Sequence, residues 1–435
     1  MRLVKFAIKT LGCKVNQYEE EVLRENLLKS GFISSSARDA DLVIINSCTV
    51  TAKADEKTRR LIKRLKRENP KAQIFVTGCY AVLEEDIKSL EAISEVDVVV
   101  PGGDKMKLPL VLSSLFARGE GEKEIKEEVE DFSGHTRAFL KVQDGCDERC
   151  TYCKVNIVRG PSRSRDEGSI LREVSRLAAR GYKEIVLTGI CLGSWKGEEE
   201  TFPRLVKKIL EVPGDFRIRL SSIEPKYIGD SLIQVMASSG KISRHLHVPL
   251  QSGSDRVLKL MNRNYTAEEF RNLISRIRRA ISLVGITMDV IAGFPGESEE
   301  DFEKTLGFVN EIKPSRLHVF RYSDRKGTPS FLMGGKIDPA ISKERVERLI
   351  KAGDTLQREF CGKFTGKEVE VLLEKRSKGD LSGEVILEGY TSEYLRVKSY
   401  GFNGFEGDII RVKIDCIDEK TPSLVAKAAN SCVKI

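Results

Sequence analysis

The stretch Gly145-Cys146-Asp147-Glu148-Arg149-Cys150-Thr151-Tyr152-Cys153 packs three thiols into eight residues, directly after the extended run Arg137-Ala138-Phe139-Leu140-Lys141-Val142. Thiolates are soft ligands that select iron–sulfur clusters, zinc or Cu(I), and a loop this short can wrap all three around one centre. No fourth Cys stands nearby. A closed structural zinc site takes four ligands, whereas a four-iron cluster held by three thiolates keeps one iron free to bind something else. The plainer alternative is three buried or zinc-bound cysteines, and the tight spacing argues against it.

Beyond this loop the chain repeats strand–helix units. Strands are expected at 137–143, 184–189, 217–222, 245–250, 285–291 and 316–321, with helical runs such as Ser169 to Arg180 and Ala267 to Leu283 between them. Six units predict a partial (β/α)6 barrel, too few for the closed eight-stranded form, with function at the carboxyl ends of its strands. Gly189, Glu224, Gln251, Ile291 and Gly293 fall at those ends. No G-x-G-x-x-G follows a strand, so a nicotinamide site is not supported. His245, His247 and His318 lie on apolar strands and read as hydrogen-bonded core histidines.

Before the loop, the first hundred residues alternate strand and helix in the α/β pattern. Strands are expected from Leu3 to Lys9, Asp41 to Asn46 and Gln73 to Thr77, and helices over Glu19 to Ser30 and Lys53 to Glu68. Each strand is followed within a few residues by a cysteine: Cys13, Cys48 and Cys79. Parallel strands of an open sheet share a carboxyl edge where ligands sit, so the three thiols should converge on one rim as a second cluster-binding triad. Single cysteines often just fill core gaps, but three on one edge do not fit that reading. Gly12 and Gly78 would let the backbone turn closely past a bulky ligand. On the second helix Lys53, Lys57, Arg60, Arg64 and Arg67 form a basic stripe opposite Leu61, Ile62 and Leu65. That is a solvated face, or a phosphate track if the substrate is RNA.

The charge-dense run 117–134 reads as a linker between a domain over 1–116 and one over 135–364. An amphipathic helix over 343–363 should close the barrel's side. From 365 to 435 short alternating strands predict a small antiparallel β-barrel, in which Tyr394, Tyr400, Phe402 and Phe405 are either stacking platforms for bases or core. Cys361, Cys416 and Cys432 stand alone and read as structural, while the role of Cys191 is open.

At 435 residues with 73 basic and 65 acidic side chains, the net charge of +8 permits a polyanionic partner without demonstrating one. Ten cysteines in a chain with a poor signal peptide argue for metal or catalytic thiols in a reducing compartment, and a cytoplasmic location is expected. No apolar run approaches the roughly 18 residues of a membrane span.

The loop at Cys146, Cys150 and Cys153 resembles that of the radical S-adenosylmethionine enzymes. Thr10-Leu11-Gly12-Cys13-Lys14-Val15-Asn16-Gln17-Tyr18-Glu19, Asn46-Ser47-Cys48-Thr49-Val50 and Thr77-Gly78-Cys79 are similar to the N-terminal domain of the methylthiotransferases, one branch of those enzymes. The C-terminal segment resembles the RNA-binding TRAM domain. The resemblance implies two 4Fe-4S clusters, one on each triad, and S-adenosyl-L-methionine at the first. It places the Tyr152 backbone, Ile291 and Gly293 at the adenine, Gly189 at the methionine amino group, and Glu224 and Gln251 at the cofactor's polar groups. It also implies an external electron donor, a sulfur donor, a monomer and the tRNA anticodon stem-loop as partner. The opening motif, with Thr188-Gly189-Ile190 and Ser221-Ser222-Ile223-Glu224-Pro225, looks most like the subgroup that adds a methylthio group to carbon 2 of N6-threonylcarbamoyladenosine.

Radical chemistry suits that task, because a carbon-bound adenine hydrogen is not acidic enough for side-chain bases. Three other readings stay open: methylthiolation of isopentenyladenosine in tRNA, methylthiolation of a ribosomal protein aspartate, and a non-enzymatic iron–sulfur RNA-binding module. One departure from the resemblance is local. Asn156 stands where relatives usually carry a proline, while Arg159-Gly160 and Ser162-Arg163-Ser164-Arg165 match.

Overall fold

The computed structural model describes residues 3–116, 125–132, 134–198, 200–378 and 385–428; Cys432 and half of the expected linker lie outside them. The chain divides into two compact units. The first takes Met1–Phe132, Phe139–Arg165 and Ser323–Phe331, and the second Ser133–Ala138, Asp166–Tyr322 and Leu332–Ile435. No helix among the described residues is long and apolar enough to cross a membrane.

In the first unit, β1 (Lys5–Thr10), β2 (Ile33–Ser34), β3 (Leu42–Ser47), β4 (Gln73–Gly78) and β5 (Val98–Val99) form one sheet in the order β2-β1-β3-β4-β5. Every pairing is parallel. The two edge strands escape a sequence reading because two residues carry no readable alternation. Side chains alternate across the sheet. Phe6, Ile8, Leu42, Ile44 and Phe75 pack with α1 (Lys14–Lys29) and α4 (Leu108–Leu115). Ala7, Val43, Ile45, Ile74 and Val76 pack with α2 (Ala52–Glu68) and α3 (Glu84–Glu91). Both faces are covered, which is why these strands read as continuous apolar runs. The stripe on α2 is on the surface as expected: Lys53, Lys57, Arg60, Arg64 and Arg67 are all exposed. Arg60 and Arg64 are paired with Glu56 and Glu68 one turn away.

On α1, Glu21 is 1 % exposed, and burial pushes its carboxyl up from 4.5 to about 7 against the pull of Arg24 at 3.1 Å. The folded state therefore holds this proton more tightly than the unfolded chain. The associated stability is fully present below pH 4.5 and is lost as pH rises through 7. Glu21→Gln should stabilise the fold by about 2 kcal/mol at pH 8 and far less at pH 5. Urea midpoints at the two pH values check this, and an equal gain at both would contradict it.

The rest of the first unit is β6 (Ala138–Lys141, all but its first residue), β7 (Gln143–Asp144), α5 (Val155–Arg159), β8 (Arg163–Ser164) and the segment 323–331. The segment is tied to its own unit by charge. Arg325 reaches Asp55 and the Thr49 hydroxyl, both at 2.7 Å, and the amide of Ser330 donates to the Thr151 carbonyl at 2.9 Å.

The second unit carries five parallel strands of its own: β9 (Glu184–Thr188), β10 (Arg217–Leu220), β11 (His245–His247), β12 (Gly285–Ala292) and β13 (Arg316–Arg321). β9 pairs with β10, and β11 with β12 and β12 with β13, all parallel; Ser222 bridges to His247 between the two groups. Helices over Glu167–Ala179, Phe202–Glu211, Asp230–Ser238, Ala267–Ala280 and Glu299–Ile312 connect them, and Pro339–Gly362 packs against β13.

The C-terminal sheet is β14 (Glu368–Lys378), β15 (Val385–Thr391), β16 (Arg396–Tyr400), β17 (Ile409–Lys413), β18 (Cys416–Ile417) and β19 (Leu424–Lys427). It is the curled, mostly antiparallel arrangement expected, with one parallel pair, β16 with β19. The chain leaves β16 for β17 at the far edge before returning, so β19 arrives running the same way.

Two arginines on β10, Arg217 and Arg219, are buried and converge on Glu184, with Nε-to-carboxylate distances of 2.6 and 2.8 Å. Their remaining donors meet the carbonyls of Tyr390, Thr391 and Ser392, fastening the C-terminal sheet to the barrel. The Glu184 carboxyl is pushed up by burial, yet the arginines outweigh this and hold it well below the usual carboxylate range.

Candidate iron–sulfur centres in the first unit

The strand order 2-1-3-4-5 has its topological switch point between β1 and β3, where chain exits diverge and open a crevice. Cys13 follows β1 and Cys48 follows β3, flanking that crevice, and Cys79 follows β4 one strand along. The thiols are close enough for charge on any one to be felt by the others. The glycines before two of them are required. Gly12 and Gly78 hold φ of +107° and +94°, and a Cβ on Gly12 would lie 2.7 Å from the Cys48 Cβ. A Cβ on Gly78 would meet the Ser47 carbonyl oxygen at 2.5 Å. Burial pushes the Cys48 thiol up to about 11, whereas Cys13 is exposed at the rim.

Cys146, Cys150 and Cys153 sit in the loop between β7 and α5. The amides of Glu148 and Val155 point at the sulfurs of Cys146 and Cys153, at 3.4 and 3.5 Å. Cys146 is anchored by its own amide on the Gly160 carbonyl, 3.0 Å. Asn156, in the place of the usual proline, lies within α5 and donates from Nδ2 to the Glu148 carbonyl at 3.4 Å. The loop shape is thus held by a side-chain contact.

Arg159, at the end of α5, joins the two triads. Its Nε donates to Cys79 Sγ at 3.3 Å. One terminal nitrogen donates to Glu19 at 2.6 Å and to both Asp144 oxygens at 3.2 Å. The other reaches Asn16 and Glu19. Lys105 and Lys141 also face Glu19. Burial pushes the Glu19 carboxyl up, but Lys105, Arg159 and Lys141 hold it well below the ordinary carboxylate range. One short helix therefore spans from the cysteine loop to the N-terminal triad. Sequence reasoning assigned no role to this hub, although a signal existed: Glu19 interrupts the apolar face made by Val15, Tyr18, Val22 and Leu23.

The first unit contains six of the chain's ten cysteines, and they are the two triads. All six are free thiols. Among the described residues no group of three or more His, Cys, Asp or Glu closes on a single metal ion. A four-iron cube asks for a wider triangle of thiolates than one ion does, and its sulfurs favour N–H donors of the kind seen at Cys79, Cys146 and Cys153. The residues fit that group. Beside Cys79 lies a cavity of about 700 Å³ whose walls include Arg159, Glu19, Lys105 and Lys141. None of Cys146, Cys150 and Cys153 lines it.

In the second unit the expected cofactor residues are placed as follows. Gln251 holds a φ of +66° at the turn after β11, and its amide donates to the Asp289 carbonyl at 2.8 Å. A left-handed non-glycine residue is uncommon and marks a backbone held by its surroundings. Gly293 has a φ of +78°, its amide donates to Glu297 at 2.8 Å, and an added Cβ would collide with Ser342. Ile291 is half-buried at the end of β12, and Gly189 follows β9. Glu224 is engaged by Arg263. His245 and His247 share the Thr287 hydroxyl at 3.1 and 2.8 Å, and His247 also meets Asp289 at 3.0 Å. Cys191 and Cys361 are buried. Of the four C-terminal aromatics, Tyr394 stacks on Tyr390 at 4.8 Å under Arg219, and Phe402 packs on the core. Tyr400 is half-buried, and Phe405 is 71 % exposed, with Arg376 over its ring at 5.9 Å.

Comparison with known proteins accords with this architecture. Residues 140–309 match the family model of the Radical SAM superfamily, and residues 5–101 match the one described as Uncharacterized protein family UPF0004. The fold resembles the radical S-adenosylmethionine methyltransferase TsrM of Kitasatospora setae, with a TM-score of 0.55 at 14% identity, over 76% of this chain and 77% of that one. In sequence the chain is 40% identical to the threonylcarbamoyladenosine tRNA methylthiotransferase MtaB of Bacillus subtilis, over 94% of this chain and 93% of that protein. It is 36% identical to the tRNA-2-methylthio-N(6)-dimethylallyladenosine synthase of Carboxydothermus hydrogenoformans, over 94% and 96%. Fold and cysteine loop define a radical S-adenosylmethionine enzyme. Within that class, the chain belongs to the tRNA methylthiotransferase family.

Proposed function

We propose that this enzyme adds a methylthio group to carbon 2 of N6-threonylcarbamoyladenosine beside the tRNA anticodon. The observation that carries the reading is 40% identity, sustained over 94% of the chain, to a relative named for that substrate. Cys146, Cys150 and Cys153 would hold one 4Fe-4S cluster, and Cys13, Cys48 and Cys79 an auxiliary one. When bound, the first supplies the electron that cleaves S-adenosyl-L-methionine, and the second presents the sulfur. Tyr152, Gly189, Glu224, Gln251, Ile291 and Gly293 would bind the nucleoside and methionine parts of the cofactor.

The chain's own contribution is placement and charge. The switch-point crevice gathers three thiols from distant segments. Arg159 fixes α5 against α1, and its guanidinium with the loop amides offers the sulfurs positive partners in a buried setting. The division into 1–116, a linker 117–134, 135–364 and a TRAM-like 365–435 belongs to the same proposal. So do a cytoplasmic location, a monomeric state, an external electron donor and a separate sulfur donor.

Nucleoside analysis of tRNA from deletion and complemented cells tests the reading. The deletion should accumulate unthiolated N6-threonylcarbamoyladenosine, and complementation should restore its methylthio form. A methylthio group appearing on isopentenyladenosine instead would overturn the substrate assignment.

A further inference from the structure

We infer that the cavity beside Cys79 is an anion-binding recess that takes the carboxylate of the substrate's N6 substituent, with Lys107 and Arg163 reading it at the rim. This deepens the proposed function and rests on it. Six side chains of the lining are cationic and three are carboxylates. Two of the carboxylates, Glu19 and Asp144, are already held by Arg159. The third, Glu127, is exposed at the edge. The recess is therefore positive, and at about 700 Å³ it falls within the size range of small-molecule sites.

Its deep cations, Lys105, Lys141 and Arg159, are committed to Glu19 and supply potential more than contacts. Lys107 and Arg163 are exposed. Lys107 leans on a surface carboxylate, Asp104, at 2.8 Å, and Arg163 makes a long 3.4 Å contact to the Arg159 carbonyl. An incoming carboxylate can recruit both.

Position supports the same occupant. In adenine, carbon 2 and carbon 6, which bears the N6 substituent, both flank N1, so a base that turns carbon 2 toward Cys79, the one thiol of its triad that lines the recess, brings its N6 group close by. A threonylcarbamoyl group carries a carboxylate there, and a dimethylallyl group carries nothing polar. Cations desolvated against an apolar group lose hydration with no return, so the recess discriminates between the two substrates by charge. A backbone phosphate of the RNA could supply the same chemistry, and the test separates the two sources.

Fluorescence anisotropy of the reconstituted holoenzyme would compare three anticodon stem-loops. One carries N6-threonylcarbamoyladenosine, one its methyl ester, and one unmodified adenosine. The native protein should bind the acid roughly tenfold more tightly than the ester. Lys107→Gln and Arg163→Gln should each erase most of that ratio while leaving the unmodified RNA unaffected, and Arg163→Lys should recover part of it. Iron content and Tm of each variant guard against a folding defect. If the variants kept the ratio, the recess would not be reading the carboxylate. If all three RNAs weakened equally and the salt slope fell by about one per charge, the contact would be to phosphate and the inference overturned. Should the native protein itself fail to prefer the modified base over plain adenosine, the proposed substrate would be at fault.

Discussion

Alanine at Cys13, Cys48 or Cys79 is expected to halve the iron of the anaerobically reconstituted enzyme, from about eight atoms per chain to about four. It should abolish methylthio transfer while leaving reductive release of 5′-deoxyadenosine measurable. Alanine at Cys146, Cys150 or Cys153 should remove the same number of irons and the 5′-deoxyadenosine with them. The two outcomes differ because the triads occupy separate elements. One is a rim gathered from three strand ends, and the other is a single loop between β7 and α5. Iron and sulfide quantitation with a parallel assay for 5′-deoxyadenosine reads both. A native protein holding only four irons, or a Cys48→Ala variant holding eight, would remove the basis for two centres.

Replacing Arg159 with methionine should destabilise the first unit by about 3–5 kcal/mol, the usual cost of stripping one partner from a buried ion pair. Glu19 is 1 % exposed and would keep its charge with Lys105 and Lys141 alone, while Asp144 and Cys79 would lose a donor. Tm should fall on the order of 10 °C. Arg159→Lys should recover only part of this, because a point charge cannot reproduce a fork that meets Glu19, Asp144, Asn16 and Cys79 together. An unchanged melting curve for the methionine variant would mean that these contacts contribute nothing net.

Much of this molecule could be read before its structure. The strand at Leu42–Ser47 and the helix at Ala52–Glu68 emerge within a residue or two of their expected bounds, because long apolar periods are strong signals. The strands Ile33–Ser34 and Leu424–Lys427 are too short to carry a period, and only pairing defines them. The stacking role open to Tyr394 closes once Tyr390, Arg137 and Arg219 are seen around its ring. Phe405 keeps that role open by its exposure. Glu224, expected at the cofactor, is held by Arg263, a partner 39 residues away that no local pattern announces.

By itself the amino-acid order determined the chemistry. Thiol spacing is a local property, and three cysteines in eight residues or one cysteine after each of three strands can be counted without coordinates. What the tertiary structure decided is how those groups are neutralised and brought together. Glu19 and Arg159 are separated by 140 residues, and burying either alone costs several kcal/mol. Only folding can bring such distant charges into contact, so their partnership, and the positive recess it leaves beside Cys79, exists in three dimensions and in no segment of the chain.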